Sequence, residues 1–179
     1  MVIPDDAVLV DAVNRLQQNL FINAPTIAQT AAIRCFDADT LEELEGYVAK
    51  YSASRTIILA ALQNIPELAR VPGRIAPADG GFYVYIDLGD ESDGGEVCSC
   101  QDAGLGSVAL CQQLLEEHHV AFTPGTDFED PATSLGDRRF RISYAGGIET
   151  ATKAMERFQR FWPVWMERVS DADATRRSD

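Results

Sequence analysis

Hydrophobic residues recur at helical spacing through the first part of the chain, whereas further on they alternate with polar residues in short segments. The helical spacing predicts three helices, over about Asp6–Asn19, about Pro25–Phe36, and from Asp39 or Thr40 to about Asn64. Pro25 favours the first turn of its helix, where its missing N–H would be unpaired in any case. The third helix exceeds the usual length for a small domain, so we expect it to bridge two lobes.

The rest of the chain predicts a small sheet with helices that cover it. Alternation after Gly80-Gly81 predicts a strand with apolar residues on one face (Phe82, Val84, Ile86 and Leu88) and Tyr83, Tyr85 and Asp87 on the other. The other predicted elements are a helix over Ser107–His118, strands over Val120–Thr123 and Arg138–Tyr144, and a helix over about Ile148–Arg168. Pro163 predicts a kink or break in that last helix. This order indicates an α+β fold with a small, mostly antiparallel sheet packed with helices.

Composition and charge narrow the possible partners. The chain has 28 acidic and 15 basic residues, a formal net charge of −13. Nucleic acids and anionic membrane surfaces are therefore disfavoured as partners, because their phosphates would be repelled. The longest apolar runs are too short for a membrane-spanning helix.

The four cysteines have neither disulfide-framework nor zinc-site spacing. They are Cys35, Cys98, Cys100 and Cys111. We expect reduced thiols and no metal site, in a cytoplasmic setting. A metal or redox role for Cys98 and Cys100, which are separated by one residue, is the weaker alternative.

Few side chains qualify for chemistry. Arg141 lies on the polar face of the last predicted strand, where a solvated surface arginine is the common interpretation. The alternative is an arginine that faces a cleft and grips a carboxylate with two parallel hydrogen bonds. His118 and His119, at a helix end, are expected to be structural or surface residues. Lys50 and Lys153, the only lysines, have the pattern of surface helix residues.

Four segments in a fixed order carry a family resemblance. They are Leu16–Ile22 followed by Ala24-Pro25-Thr26 and Gln29, Gly80–Tyr83, Val120–Phe128, and Arg141–Ala145. Together they resemble the C-terminal part of the class I and II aminotransferases, pyridoxal-phosphate enzymes of fold type I. Two departures from the family pattern affect loops: Glu129 stands where a glycine is usual, and Gly89–Ala103 is unusually long and acidic.

The resemblance implies that Arg141 holds the α-carboxylate of the substrate, with Gly81 and Tyr83 lining the entrance. It implies a complete enzyme that exchanges an amino group between an amino acid and a 2-oxo acid, as a cytoplasmic homodimer. In the family, pyridoxal 5'-phosphate is held by a lysine that lies just before a strand whose end Met1–Pro4 resembles. We therefore expect this chain to lack that lysine and to be inactive alone.

The resemblance also implies a division into residues 1–38, a remnant of the large domain, residues 39–169, the small domain with its bridging helix, and a disordered tail over 170–179. The first helices should then expose apolar faces. Two alternatives remain open: a non-catalytic module that binds amino acids or oxo acids, and a fragment of a gene whose start lies upstream.

Overall fold

The structure is a computed structural model that describes residues 6–89 and 104–176. Its contacts divide the chain into two compact units, Met1–Tyr47 and Val48–Asp179. The division falls inside α3 (Ala38–Gln63), so the helix that the sequence assigns to the second domain belongs to both units. The two cysteines of the acidic loop, Cys98 and Cys100, lie outside the described residues.

The first unit is helical. It contains α1 (Ala7–Leu16), a π-helical turn (Gln17–Phe21), α2 (Thr26–Ile33), a 3-10 turn (Arg34–Phe36) and the start of α3. Asp6 caps α1, because its Oδ1 accepts hydrogen bonds from the backbone N–H groups of Val8 and Leu9 at 2.9 and 3.1 Å. As expected from the sequence, large apolar side chains of this unit are exposed: Val8, Leu9, Leu16, Leu20, Phe21, Ile22, Ile27, Ile33 and Phe36.

The second unit begins within α3, whose predicted bounds are confirmed to within one or two residues. Ser54, Ile58 and Leu62 form its buried side. The apolar stripe predicted along the whole helix is therefore buried only in its later turns. A short helix, α4 (Pro66–Ala69), follows with its proline in the first turn.

The sheet of the second unit has three antiparallel strands in the order β1-β3-β2. They are β1 (Tyr83–Asp87), β2 (Thr123–Pro124) and β3 (Arg139–Ser143), and α5 (Ser107–His118) lies between β1 and β2 in the chain. The small antiparallel sheet of the predicted α+β fold is thus confirmed. The predicted strand over Val120–Thr123 is wrong in its bounds: the Val120 N–H is used by the end of α5, where it donates to the carbonyl of Leu114.

The core lies between one face of this sheet and the helices. Alternation along β1 and β3 buries Val84, Ile86, Phe140 and Ile142, as predicted. The final helix, α6 (Ile148–Arg176), adds four fully or almost fully buried aromatic side chains, Phe158, Phe161, Trp162 and Trp165.

The last helix corrects two expectations. It is one continuous element over Ile148–Arg176, so the break that Pro163 predicted as the alternative to a kink does not occur, and the helix continues past Ser170, where a disordered tail is expected. Pro163 removes one backbone hydrogen bond, but the buried Trp162 and Trp165 hold the helix on both sides of it. Beyond them Val169 is also buried, which holds the later turns against the core.

Candidate functional site

The face of the sheet opposite the core carries the polar side chains of β1 and β3. Two neighbouring pairs define it, since Tyr85 lies opposite Arg141 and Asp87 lies opposite Arg139 in the antiparallel register. Residues that alternate along a strand point to opposite faces, so Tyr83 joins this set. The sequence therefore places an arginine at the centre of a face that is half aromatic and half charged.

Arg141 contacts two aromatic rings and has no counter-ion among the residues that the structure describes. Its Cζ lies 4.0 Å from the ring centroid of Tyr83 and 4.1 Å from that of Phe128. Such cation–π contacts stabilise by about 0.5–1 kcal/mol each at exposed sites. The buried Nε of Arg141 has no hydrogen-bond partner, and no ion pair of Arg141 occurs among the described residues. Within the described part of the chain, the guanidinium is therefore positioned by aromatic rings and not by an acidic partner.

The acidic groups nearby are directed at a different arginine. Arg139 donates from Nε to Asp87 Oδ2 at 2.7 Å and from Nη1 to Glu129 Oε1 at 2.8 Å. The hydroxyl of Tyr85 donates to the same Glu129 oxygen at 3.0 Å. These two donors lower the pKa of the Glu129 carboxyl, with the bond from Arg139 the larger cause. Burial, and then the hydrogen bond to Glu129, raise the pKa of Tyr85 to about 12.

The three predicted site residues are only partly brought together. Tyr83 and Arg141 are in contact, whereas Gly81 lies in the turn before β1 and lines a separate cavity of about 250 Å³. Gly81 has a φ of +67°, a left-handed conformation that favours glycine. Its carbonyl accepts a hydrogen bond from the hydroxyl of Tyr144 at 3.2 Å.

The two lysines do not fit a covalent cofactor site. Lys50 is exposed on α3. Lys153 is exposed on α6, where its Nζ pairs with Glu149 Oε1 at 2.6 Å, and it borders a cavity of about 360 Å³ away from Arg141. A Schiff base requires a lysine beside the bound cofactor, whereas both of these lysines lie on exposed helix surfaces.

The two histidines close a helix, as expected for structural residues. His119 has a φ of 55° and ends α5, with its N–H donating to the carbonyl of Leu115. The ring of His118 meets the edge of Phe161, at a centroid distance of 5.2 Å.

Sequence reasoning missed Glu129 and Tyr85 as parts of this site. Phe128 entered the sequence analysis only as part of the Val120–Phe128 segment, and no contact with Arg141 was predicted for it. Glu129 and Tyr85 are 44 residues apart in the chain, and no local pattern pairs them. The one available signal was the acidic residue itself at a position where glycine is usual.

Within the described residues, no helix is both long and apolar enough to cross a membrane. Over the same residues, no group of three or more His, Cys, Asp and Glu side chains is placed to hold a metal ion.

Comparison with known proteins gives one consistent result. The sequence model of the family "Aminotransferase class I and II" matches residues 2–158. The chain is 33% identical over 156 residues to the valine–pyruvate aminotransferase of Mycobacterium tuberculosis. The matched region covers 87% of this chain and 35% of that protein. It is 32% identical over 153 residues to the (5-formylfuran-3-yl)methyl phosphate transaminase of Methanocaldococcus jannaschii, covering 86% and 35%.

Solved structures agree. The crystal structure of an aminotransferase from Mycobacterium tuberculosis superposes with a TM-score of 0.68 at 33% identity, over 88% of this chain and 36% of that one. A Methanococcus jannaschii structure, described as similar in its active site to kynurenine aminotransferases, gives a TM-score of 0.61 at 28% identity, over 87% and 36%. The chain thus spans about a third of the length of the proteins it matches.

Proposed function

Because this chain belongs to the class I and II aminotransferase family, we propose that it forms the substrate-carboxylate side of an enzyme that transfers an amino group between an amino acid and a 2-oxo acid. The observation that carries the proposal is Arg141, a guanidinium held over two aromatic rings with no counter-ion among the described residues. Its binding partner would be the α-carboxylate that both substrates share.

The geometry of arginine suits this task. A guanidinium offers a planar fork of donors that matches the two oxygens of a carboxylate. Two charge-assisted hydrogen bonds contribute roughly 1.5–3 kcal/mol each, before the entropy lost on association. Because a dissociation constant of 1 mM corresponds to about 4 kcal/mol, we expect binding to this chain alone in the millimolar range or weaker.

Tyr83 and Gly81 would have supporting roles. The ring of Tyr83 fixes one side of the Arg141 guanidinium, which reduces the side-chain entropy that binding must overcome. Gly81 would line the entrance from the turn before β1. Any other residue would be strained in this left-handed backbone conformation, so the turn depends on the glycine.

The lysine that holds the cofactor would not be one of the residues of this chain. Enzymes of this family carry out the amino transfer on pyridoxal 5'-phosphate, which acts as an electron sink, but neither lysine of this chain fits its attachment. We therefore propose that the chain alone has no transaminase activity. The complete enzyme would be a homodimer, as the family resemblance implies. Cytoplasmic location is favoured by the free thiols of Cys35 and Cys111.

Carboxylate binding can be tested directly on the purified chain. Pyruvate, a small 2-oxo acid with the required carboxylate, is titrated while backbone and arginine side-chain resonances are followed by NMR. We expect shifts at Arg141 and Tyr83 with millimolar affinity, and none with methyl pyruvate, which lacks the carboxylate.

Arg141→Gln should abolish these shifts, because it removes the charge and the fork of donors. Arg160→Gln is the matched control, since Arg160 is exposed on α6 and, among the described residues, donates only to the carbonyl of Glu156. Equal pyruvate binding by the wild type and by Arg141→Gln would refute the proposed site.

A further inference from the structure

Glu129 directly follows Phe128, the last residue of the Val120–Phe128 segment. At this position the chain carries a charge in place of the glycine that is usual in the family. We propose that Glu129 is a positioning residue. Its side chain ties the loop between β2 and β3 to the sheet, so that the ring of Phe128 stays over the guanidinium of Arg141. Its consequence for ligand binding rests on the function proposed above. The positioning itself does not, because it is a property of the chain without ligand.

Phe128 needs such a tie because burial does not hold it. The residue is 49% exposed, so its contact with Arg141 depends on where the backbone lies. One end of the loop is closed by a turn, in which the N–H groups of Phe128 and Glu129 both donate to the carbonyl of Gly125, at 2.9 and 3.0 Å. Gly125 directly follows β2 and packs against the backbone of Arg139 on β3, so the turn fixes this end of the loop on the sheet, but neither of its two hydrogen bonds reaches β1.

The Glu129 side chain supplies the missing connection. Its Oε1 accepts from Arg139 on β3 and from Tyr85 on β1, so one carboxylate oxygen joins the loop to both strands. Arg139 is itself held by Asp87 at 2.7 Å. Charge-assisted hydrogen bonds are shorter and stronger than neutral ones, and the lowered pKa of Glu129 keeps the group ionised at neutral pH.

The same contacts keep the carboxylate away from Arg141. A carboxylate on the residue that follows Phe128, whose ring contacts Arg141, would otherwise compete with a ligand for that guanidinium. With Arg139 and Tyr85 as its partners, Glu129 does not pair with Arg141 in the described structure. The arrangement therefore holds Phe128 in place and leaves Arg141 available.

Ring currents give a readout that a general loss of stability would not imitate. Protons above the face of an aromatic ring are shielded, so the Nε–H resonance of Arg141 should lie upfield of those of exposed arginines. We expect Glu129→Ala to move this resonance downfield, with backbone resonances of β1 and β3 near their wild-type positions. Phe128→Leu should have the same effect, and the double variant should add little to either single change, because both remove one contact.

Glu117→Gln is the matched control. Glu117 also binds an arginine, Arg168, at 3.0 and 3.1 Å, but it lies on α5. It should leave the Arg141 resonance unchanged. If Glu129→Ala lowers stability too far, Glu129→Gln provides the same test with the shape of the side chain retained, and a smaller downfield shift is expected.

Pyruvate titration separates this inference from the proposed function. Loss of the Phe128 contact frees a side chain that binding must then order, so binding to the Glu129→Ala variant should weaken by about two- to fivefold. Should the wild type bind no pyruvate, the proposed function fails, while the ring-current result still decides the role of Glu129. An Arg141 resonance at its wild-type position in Glu129→Ala, or additive shifts in the double variant, would overturn the positioning role.

Discussion

Replacing Gly125 with alanine should displace the loop that carries Phe128. An added Cβ would lie 2.7 Å from the carbonyl oxygens of Arg139 and Gly136. Carbon and carbonyl oxygen keep about 3.3–3.6 Å apart even in favourable C–H···O contacts. Both oxygens belong to the backbone, so neither can rotate away. The loop or the end of β3 must shift instead.

The expected cost follows from the size of this clash. Overpacking by one methyl group destabilises the folded state by about 1–3 kcal/mol. Alanine also lowers the conformational entropy of the unfolded chain, which offsets about 0.4–1 kcal/mol of that loss. A net loss of about 1–2 kcal/mol, with a urea dependence of about 2 kcal/mol/M, lowers the unfolding midpoint by about 0.5–1 M.

Urea unfolding followed by tryptophan fluorescence measures this loss in the second unit, which contains both tryptophans, Trp162 and Trp165. Gly80→Ala is the matched control: its Cβ would meet nothing within 4 Å, and Gly80 has no positive φ. The control midpoint should stay near that of the wild type. A Gly125→Ala midpoint equal to the wild type, or a Gly80→Ala loss of the same size, would contradict the packing described for Gly125.

Two further predictions concern ionisation and the cofactor. Tyr85 has a pKa of about 12 against an ordinary value of 10.0, and burial raises the pKa of Cys111 to about 12 from 9.0. Both groups stay protonated in the folded chain over a pH range in which they ionise in the unfolded chain. Their contribution to stability should therefore be fully present below about pH 9 and be lost as the pH rises towards 12. Tyr85→Phe should remove the phenolate absorbance change near pH 12, and an unchanged titration would contradict the assignment. Purified chain mixed with pyridoxal 5'-phosphate should show no turnover of any amino acid, and an imine absorbance band with turnover would contradict the misfit of Lys50 and Lys153.

The alternation of apolar residues made the sheet predictable. Val84 and Ile142 are buried, as their positions in an alternating pattern require, and the side on which Arg141 lies follows from the same alternation. The bounds of α5 follow from helical spacing and agree with the structure. These are local properties, in which each residue is compared with neighbours a few positions away.

Segments whose conformation depends on distant packing were predicted less well. The Val120–Thr123 region reads as a strand, but its first N–H is taken by the end of α5. Pro163 predicts a kink or break, yet the helix is continuous there, and the tryptophans beside it are buried and hold it together. In both cases the tertiary contact outweighs the local preference.

For the candidate site, the sequence by itself determined the residue types, the strand that carries Arg141 and the family to which the motifs point. Only the tertiary structure decided that Tyr83 and Phe128 lie against the guanidinium, that Gly81 lies apart from it, and that Glu129 pairs with Arg139. The physical reason is distance along the chain. Side-chain periodicity fixes which face a residue occupies within its own strand, whereas contacts between β1, β3 and the loop join residues tens of positions apart, and those depend on register and loop packing.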